Sequence, residues 1–173
     1  GPHLPDFLKL HPAMSIDVIV TSDAPDLIAG RIDVAVVVQD EPSTKLTHLL
    51  LATCPRVLCA APSYLAAHGR PAHPTDLKRH YGINHFSPHT GKLVDWVFSK
   101  SSARVQISLP GYIALEDENS YVAAAEAGLG IAQIPAFILE EAMERGTLEL
   151  VLGDWLPEPS PLYVVYPQNR HLS

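Results

Sequence analysis

The feature that most constrains the fold is Val34-Ala35-Val36-Val37-Val38, an unbroken apolar run dominated by β-branched residues. Such side chains favour strands, and a strand apolar on both sides of its pleat is expected to be covered on both faces. Parallel sheets flanked by helices supply that cover, and the rest of the sequence alternates in the required way. Leu4, Phe7 and Leu8 have helical spacing, and Pro12 stops that helix. Residues 16–21 read as a strand. Pro25 opens a helical turn that Gly30 closes in the left-handed conformation.

Residues 47–52 and 56–61 read as strands around Pro55. Ser63 is placed to cap a helix to His68, with Gly69 as its stop, and Thr75 to cap a shorter one. Strands are expected at 81–84, 105–109 and 112–115. The strongest helix covers 117–127, with acids at its start and alanines within. A strand at 130–134, a helix from Pro135 to Arg145 and strands at 148–152 and 162–166 complete the pattern. This alternation predicts an α/β fold with mainly parallel sheet.

Composition narrows the function. With 47% hydrophobic residues in 173, the chain can bury a core, and no apolar run reaches the ~18 residues of a membrane span. The first residues lack the basic segment and apolar stretch of a signal peptide, so a cytoplasmic location is expected. Twelve Lys and Arg against nineteen Asp and Glu leave a net charge of −7, without a basic cluster to hold phosphates. Cys54 and Cys59 read as reduced, partly buried small hydrophobes rather than a disulfide.

Enzymatic signatures are missing from the sequence. There is no nucleophile elbow, no H-E-x-x-H and no phosphate loop. Gly128-Leu129-Gly130 follows a helix and precedes a strand, the reverse of a dinucleotide fingerprint, and reads as a helix stop and tight turn. His80, His85 and His89 invite a zinc site, but their segment reads as strand and turn, so no metal or other cofactor is expected. Glu116, Asp117 and Glu118 suit a general acid/base pair, yet carboxylates at a helix start also serve as caps.

Short motifs in order along the chain carry a family resemblance. They include Leu4-Pro5-Asp6-Phe7-Leu8, Asp26-Leu27-Ile28-Ala29-Gly30-Arg31-Ile32-Asp33-Val34-Ala35-Val36 and Ala60-Ala61-Pro62-Ser63-Tyr64-Leu65. Pro74-Thr75-Asp76-Leu77, Ala127-Gly128-Leu129-Gly130-Ile131-Ala132 and Pro161-Leu162-Tyr163-Val164-Val165-Tyr166-Pro167 follow. Together they resemble the effector-binding domain of LysR-type bacterial transcription regulators. The resemblance implies a two-lobed fold like type 2 periplasmic binding proteins, trimmed at both ends. Residues 1–59 and 163–173 would form one lobe and 60–162 the other, joined by two crossover segments. It also implies that the family's winged helix-turn-helix lies outside this chain, so promoter DNA is reached only through that absent domain.

The implied function is sensing: a small metabolite binds between the lobes, and the change passes to DNA binding through a dimer or tetramer. A transporter's solute-binding protein and an enzyme on the same fold are the alternatives. By this mapping the cleft candidates are Thr21, Ser22, Val38, Cys59, Ala60, His85, Phe86, Ser87, Glu118 and Asn119. The hydroxyls and His85 offer both donors and acceptors, Phe86 an apolar wall, and the helix start free backbone N–H groups. The family commonly has Arg after the Asp-Val-Ala-Val run, where this sequence has Val37 and Val38.

Overall fold

A computed structural model describes residues 3–21, 26–38, 46–85, 92–115 and 117–168. Helix α1 (Leu4–Leu10) begins with Pro5 in its first turn, where the missing N–H costs nothing. Residues 14–20 follow with no assigned secondary structure, and Val18, Ile19 and Val20 are exposed. The strand expected at 16–21 is not formed. In the next turn Gly30 donates its N–H to the Asp26 carbonyl, but the left-handed residue is Arg31 rather than Gly30.

Strand β1 (Ala35–Val38) and β2 (Leu46–Cys54) come next. Then follow β3 (Arg56–Ala60) and α2 (Pro62–His68), whose cap position is Ala61 with Pro62 opening the helix. Gly69 ends α2 with φ near +81°, a conformation that costs glycine little. A 3₁₀ turn, Pro74–Arg79, is capped by the His73 side chain rather than Thr75. After it come β4 (Gly82–His85), β5 (Trp96–Lys100), β6 (Ala103–Ile107) and β7 (Ile113–Leu115). Helix α3 (Glu118–Glu126) leads to β8 (Ile131–Pro135). The helix expected over 135–145 is broken into a 3₁₀ turn, Ala136–Ile138, and α4 (Glu140–Glu144). Strands β9 (Glu149–Val151), β10 (Leu156–Pro157) and β11 (Ser160–Pro167) finish the chain.

These strands form three sheets, ordered β1-β11-β2, β10-β5-β6 and β7-β4-β8-β3-β9. The fold is α/β as expected, but parallel pairing is confined to β4 with β7 and with β8. The other described pairs are antiparallel. Both parallel pairs are made by β4, with β7 on one side and, beyond the α3 crossover, β8 on the other. Strand β3 instead arrives from the three-stranded sheet through Pro55, so no helical crossover forces it parallel to β8.

Nearly all the buried apolar residues belong to the five-stranded sheet and its cover. Leu58, Ile83, Ile131 and Ile134 meet Tyr64, Leu65 and Tyr121 from α2 and α3, with Trp96 and Phe98 from the small antiparallel sheet. The three-stranded sheet is different. Only alternate residues of its valine strand are half-buried, and Val36 and Val38 are about three-fifths exposed. The two-sided burial expected of this run is absent: Val36 lines up with Val164 and Leu49 on an open apolar face.

Candidate functional site

The parallel strands β4, β7 and β8 end at one edge of the five-stranded sheet, and antiparallel β3 begins there. Ligands of open α/β sheets gather beyond such carboxyl ends. His85, the last residue of β4, pairs with Leu115, the last of β7. Its Nδ1 lies 3.1 Å from the Leu115 carbonyl oxygen. A carbonyl only accepts, so Nδ1 carries the proton in this contact and Nε2 is the ring nitrogen left for another partner. The half-buried His85 ring also lies 6.3 Å, centroid to centroid, from the buried ring of Tyr121 on α3.

Helix α3 starts just past β7, and its first amides do not await a ligand. Asp117 caps the helix, its Oδ1 accepting the N–H of Asn119 at 3.0 Å and of Ser120 at 3.1 Å. The Ser120 hydroxyl and these amides hold the Asp117 carboxyl below the usual carboxylate range. The Asn119 and Ser120 N–H groups expected to be free are taken by Asp117, so an incoming carboxylate would have to displace it. The capping reading of this acidic start is the one the geometry supports.

The other candidates are scattered by the fold. Cys59 and Ala60 are fully buried; Cys59 pairs with Ala132 and Leu150, and Ala60 with Glu149. Burial pushes the Cys59 thiol up to about 12, so it stays protonated and unreactive. Val38 ends β1 opposite Leu162 with its side chain largely exposed, and Thr21 is exposed. Ser22, Phe86 and Ser87 lie outside the described residues, as does the side chain of Glu118. Asn119 lines a groove of about 250 Å³ between α3 and α4. In that groove Arg145 is bound by Glu126 at 2.8 Å and by Glu141, so its charge is already matched.

Two polar groups at the shared edge were not singled out by sequence. Arg56 opens β3 opposite Pro135, and its Nη2 donates to the Gln133 carbonyl oxygen while Nη1 sits 3.5 Å from the Ser160 hydroxyl. A lone arginine at the head of an apolar strand, and a lone glutamine inside Ile131-Ala132-Gln133-Ile134, were the available signals. Among the described residues no group of His, Cys, Asp and Glu is arranged to hold a metal ion, and no helix is long and apolar enough to cross a membrane.

Comparison with known proteins agrees with this architecture. The profile described as the LysR substrate binding domain matches residues 1–173. The HTH-type transcriptional regulator YhjC of Escherichia coli K12 is 33% identical over 173 residues, covering 99% of this chain and 58% of its own. A Haemophilus influenzae HTH-type transcriptional regulator is 30% identical, covering 99% and 59%. The full-length structure of the Vibrio cholerae virulence activator AphB, a member of the LTTR protein family, superposes with a TM-score of 0.78. It is 28% identical, with 96% of this chain and 56% of AphB covered. The chain thus spans a little under three-fifths of the relatives it matches. With the family model matching the whole chain and the relatives similar along nearly all of it, this chain belongs to the LysR substrate binding domain family.

Proposed function

We propose that this chain senses a small metabolite at the edge where β4, β7 and β8 end, between that sheet and the three-stranded one. The observation supporting this reading is the convergence of His85, the α3 start and the crossover residue Arg56 on that edge. In this reading one lobe is built on the β1-β11-β2 sheet and the other on the five-stranded sheet, so the boundaries expected at 59/60 and 162/163 move to the connections and β3 falls in the second lobe. The connections run through Pro55 and through residues 158–159, where the chain leaves one sheet for another. His85 Nε2 offers a ring nitrogen, Glu118 and Asn119 at the α3 start offer acidic and amide groups, and Thr21, Ser22, Val38, Phe86 and Ser87 are the further contacts that the family mapping assigns. Cys59 and Ala60 support it from within the core. Because Asp117 already occupies the α3 amides, the reading favours a neutral or amine-bearing effector over a carboxylate at that point.

An effector regulates only if it binds one lobe arrangement better than another. The resulting shift passes through a homo-oligomer to a DNA-binding domain outside residues 1–173. No enzymatic step is assigned, because no nucleophile and base are paired at this edge among the described residues.

Thermal unfolding against a panel of metabolites tests the proposal. At 100 times its dissociation constant a ligand stabilises by about 2.7 kcal/mol, or roughly 5–11 °C for a chain of this size. His85→Ala should diminish the shift while leaving the unliganded melting point nearly unchanged. A panel without any shift, or a shift untouched by His85→Ala, would remove the effector site from this edge.

A further inference from the structure

The chain leaves the β1-β11-β2 sheet for β3 of the five-stranded sheet and returns to it from β10 of the small β10-β5-β6 sheet, and the two crossings run side by side. The first passes from Cys54 through Pro55 to Arg56; the second runs from Pro157 to Ser160, and Cys54 pairs with Ser160. Each crossing is tied to the body of the five-stranded side. Ala136 donates its N–H to the Pro55 carbonyl at 2.9 Å, and Glu158 donates its N–H to the Val97 carbonyl at 3.0 Å. Pro55 fixes its own φ and stiffens the first crossing.

Arg56 joins the two. It rides on β3, and its Nη2 is held by the Gln133 carbonyl of neighbouring β8, so the guanidinium moves with the five-stranded sheet. Its other terminal nitrogen reaches Ser160 Oγ, the first residue of β11 in the three-stranded sheet. At 3.5 Å this contact sits at the long limit for N–H···O, whereas the Gln133 contact is short. A planar guanidinium anchored through one nitrogen holds the other on a fixed arc. Rotation of one sheet against the other about the crossings must then shorten or break the Ser160 contact before it disturbs the Gln133 one.

We propose that Arg56 is a positioning residue that latches the second crossing to the five-stranded sheet, and so sets the balance between two arrangements of the sheets. The inference rests on the two-lobed reading but not on any effector, so it can fail while effector binding stands. The test uses the whole chain with nitroxide labels at Ala29→Cys and Ala66→Cys in a Cys54→Ser background; Cys59 is fully buried and escapes labelling. Pulsed dipolar spectroscopy then reads the distance distribution across the crossings without ligand. Ser160→Ala and Arg56→Gln should each shift the ratio of the distance populations by about threefold to tenfold, the range expected when one ordinary intramolecular hydrogen bond is lost, as suits a contact at the long limit. Arg56→Lys should resemble Arg56→Gln, because one ammonium cannot span both partners. An unchanged distribution in Ser160→Ala overturns the proposal, and that variant decides the matter should Arg56→Gln fail to fold. A lowered melting point in Arg56→Gln with unaltered distances in both variants also overturns it, leaving Arg56 as a static brace for β8.

Discussion

Leu58 and Leu49 are the same side chain on consecutive strands, and truncating each should have very different effects. Leu58 on β3 is 1% exposed and lies between Gln133 of β8 and Val151 of β9. Leu49 on β2 is 61% exposed, opposite Val164 on the open face of the three-stranded sheet. Fully burying a leucine contributes about 1.5–3 kcal/mol through transfer from water. Removing it from a packed core adds a cavity term, so Leu58→Ala should cost about 3–5 kcal/mol. For a chain this long that lowers the melting temperature by roughly 6–20 °C. Leu49→Ala, on an exposed site, should stay within about 0.5 kcal/mol, or roughly 1–2 °C. Circular dichroism during heating, with a matching urea series, measures both. Comparable losses from the two substitutions would refute the reasoning, since they would mean that the face bearing Leu49, Val36 and Val38 is covered in solution.

Other substitutions test local features. His80 is buried with its Nδ1 3.3 Å from the Tyr64 hydroxyl, which accepts the Tyr81 N–H at 2.9 Å, and burial followed by the nearby His68 lowers its pKa. Its stabilising neutral form is therefore kept above the ordinary histidine range near ~6.5 and stability is lost as pH falls through that range toward the lower folded value. Melting curves at pH 8 and pH 5 should show a larger acid loss for the unaltered chain than for His80→Phe. Asp117→Ala should speed hydrogen exchange at the amides of Asn119 and Ser120, and the cap should hold above the ordinary carboxylate range and fail as pH drops through the lowered folded value. Exchange measured across an acid series checks both points. A Cβ at Gly130 would intrude on the Tyr81 carbonyl oxygen that accepts the Ile131 N–H at 2.8 Å. Gly130→Ala should therefore cost about 2–4 kcal/mol by urea midpoint, and a loss under about 1 kcal/mol would contradict this contact.

Much of the fold was legible because its signals are local. Gly69 and Gly146 stop helical segments with positive φ, and the acid-led start of α3 lies where Asp117 predicts it. The apolar segment 130–134 is indeed an inner strand, Ile131–Pro135. The errors share a different origin. The valine run of β1 has the composition of a doubly covered strand, but coverage depends on what packs across the sheet, which a short window does not encode. The 135–145 helix was over-read because its periodicity continues across Leu139, where the chain passes from a 3₁₀ turn to an α-helix. Strand β5, Trp96–Lys100, went unread beside its hairpin partner β6.

The site was harder to read for a reason of direction. The family mapping places Cys59 and Ala60 at the first crossing between the lobes, one strand past Pro55 in sequence. Strand β3 runs antiparallel to β8, however, so each step along it moves away from the edge where β4, β7 and β8 end. Arg56, opposite Pro135 at that edge, is the residue left facing the junction, while Cys59 has moved inward to pair with Ala132. The reverse holds on β4, where later residues approach the edge and His85 arrives beside Leu115. Sequence proximity to a crossing thus marks functional residues only when strand polarity is known, and polarity was the property that helix–strand alternation misassigned. A chain whose β3 ran parallel to β8 would expose Cys59 at the junction and bury Arg56, a charge whose removal from water costs several kcal/mol. The arginine at the head of β3 is therefore a sequence argument for the antiparallel entry: only that polarity lets its guanidinium reach the carbonyl at Gln133 and the hydroxyl at Ser160.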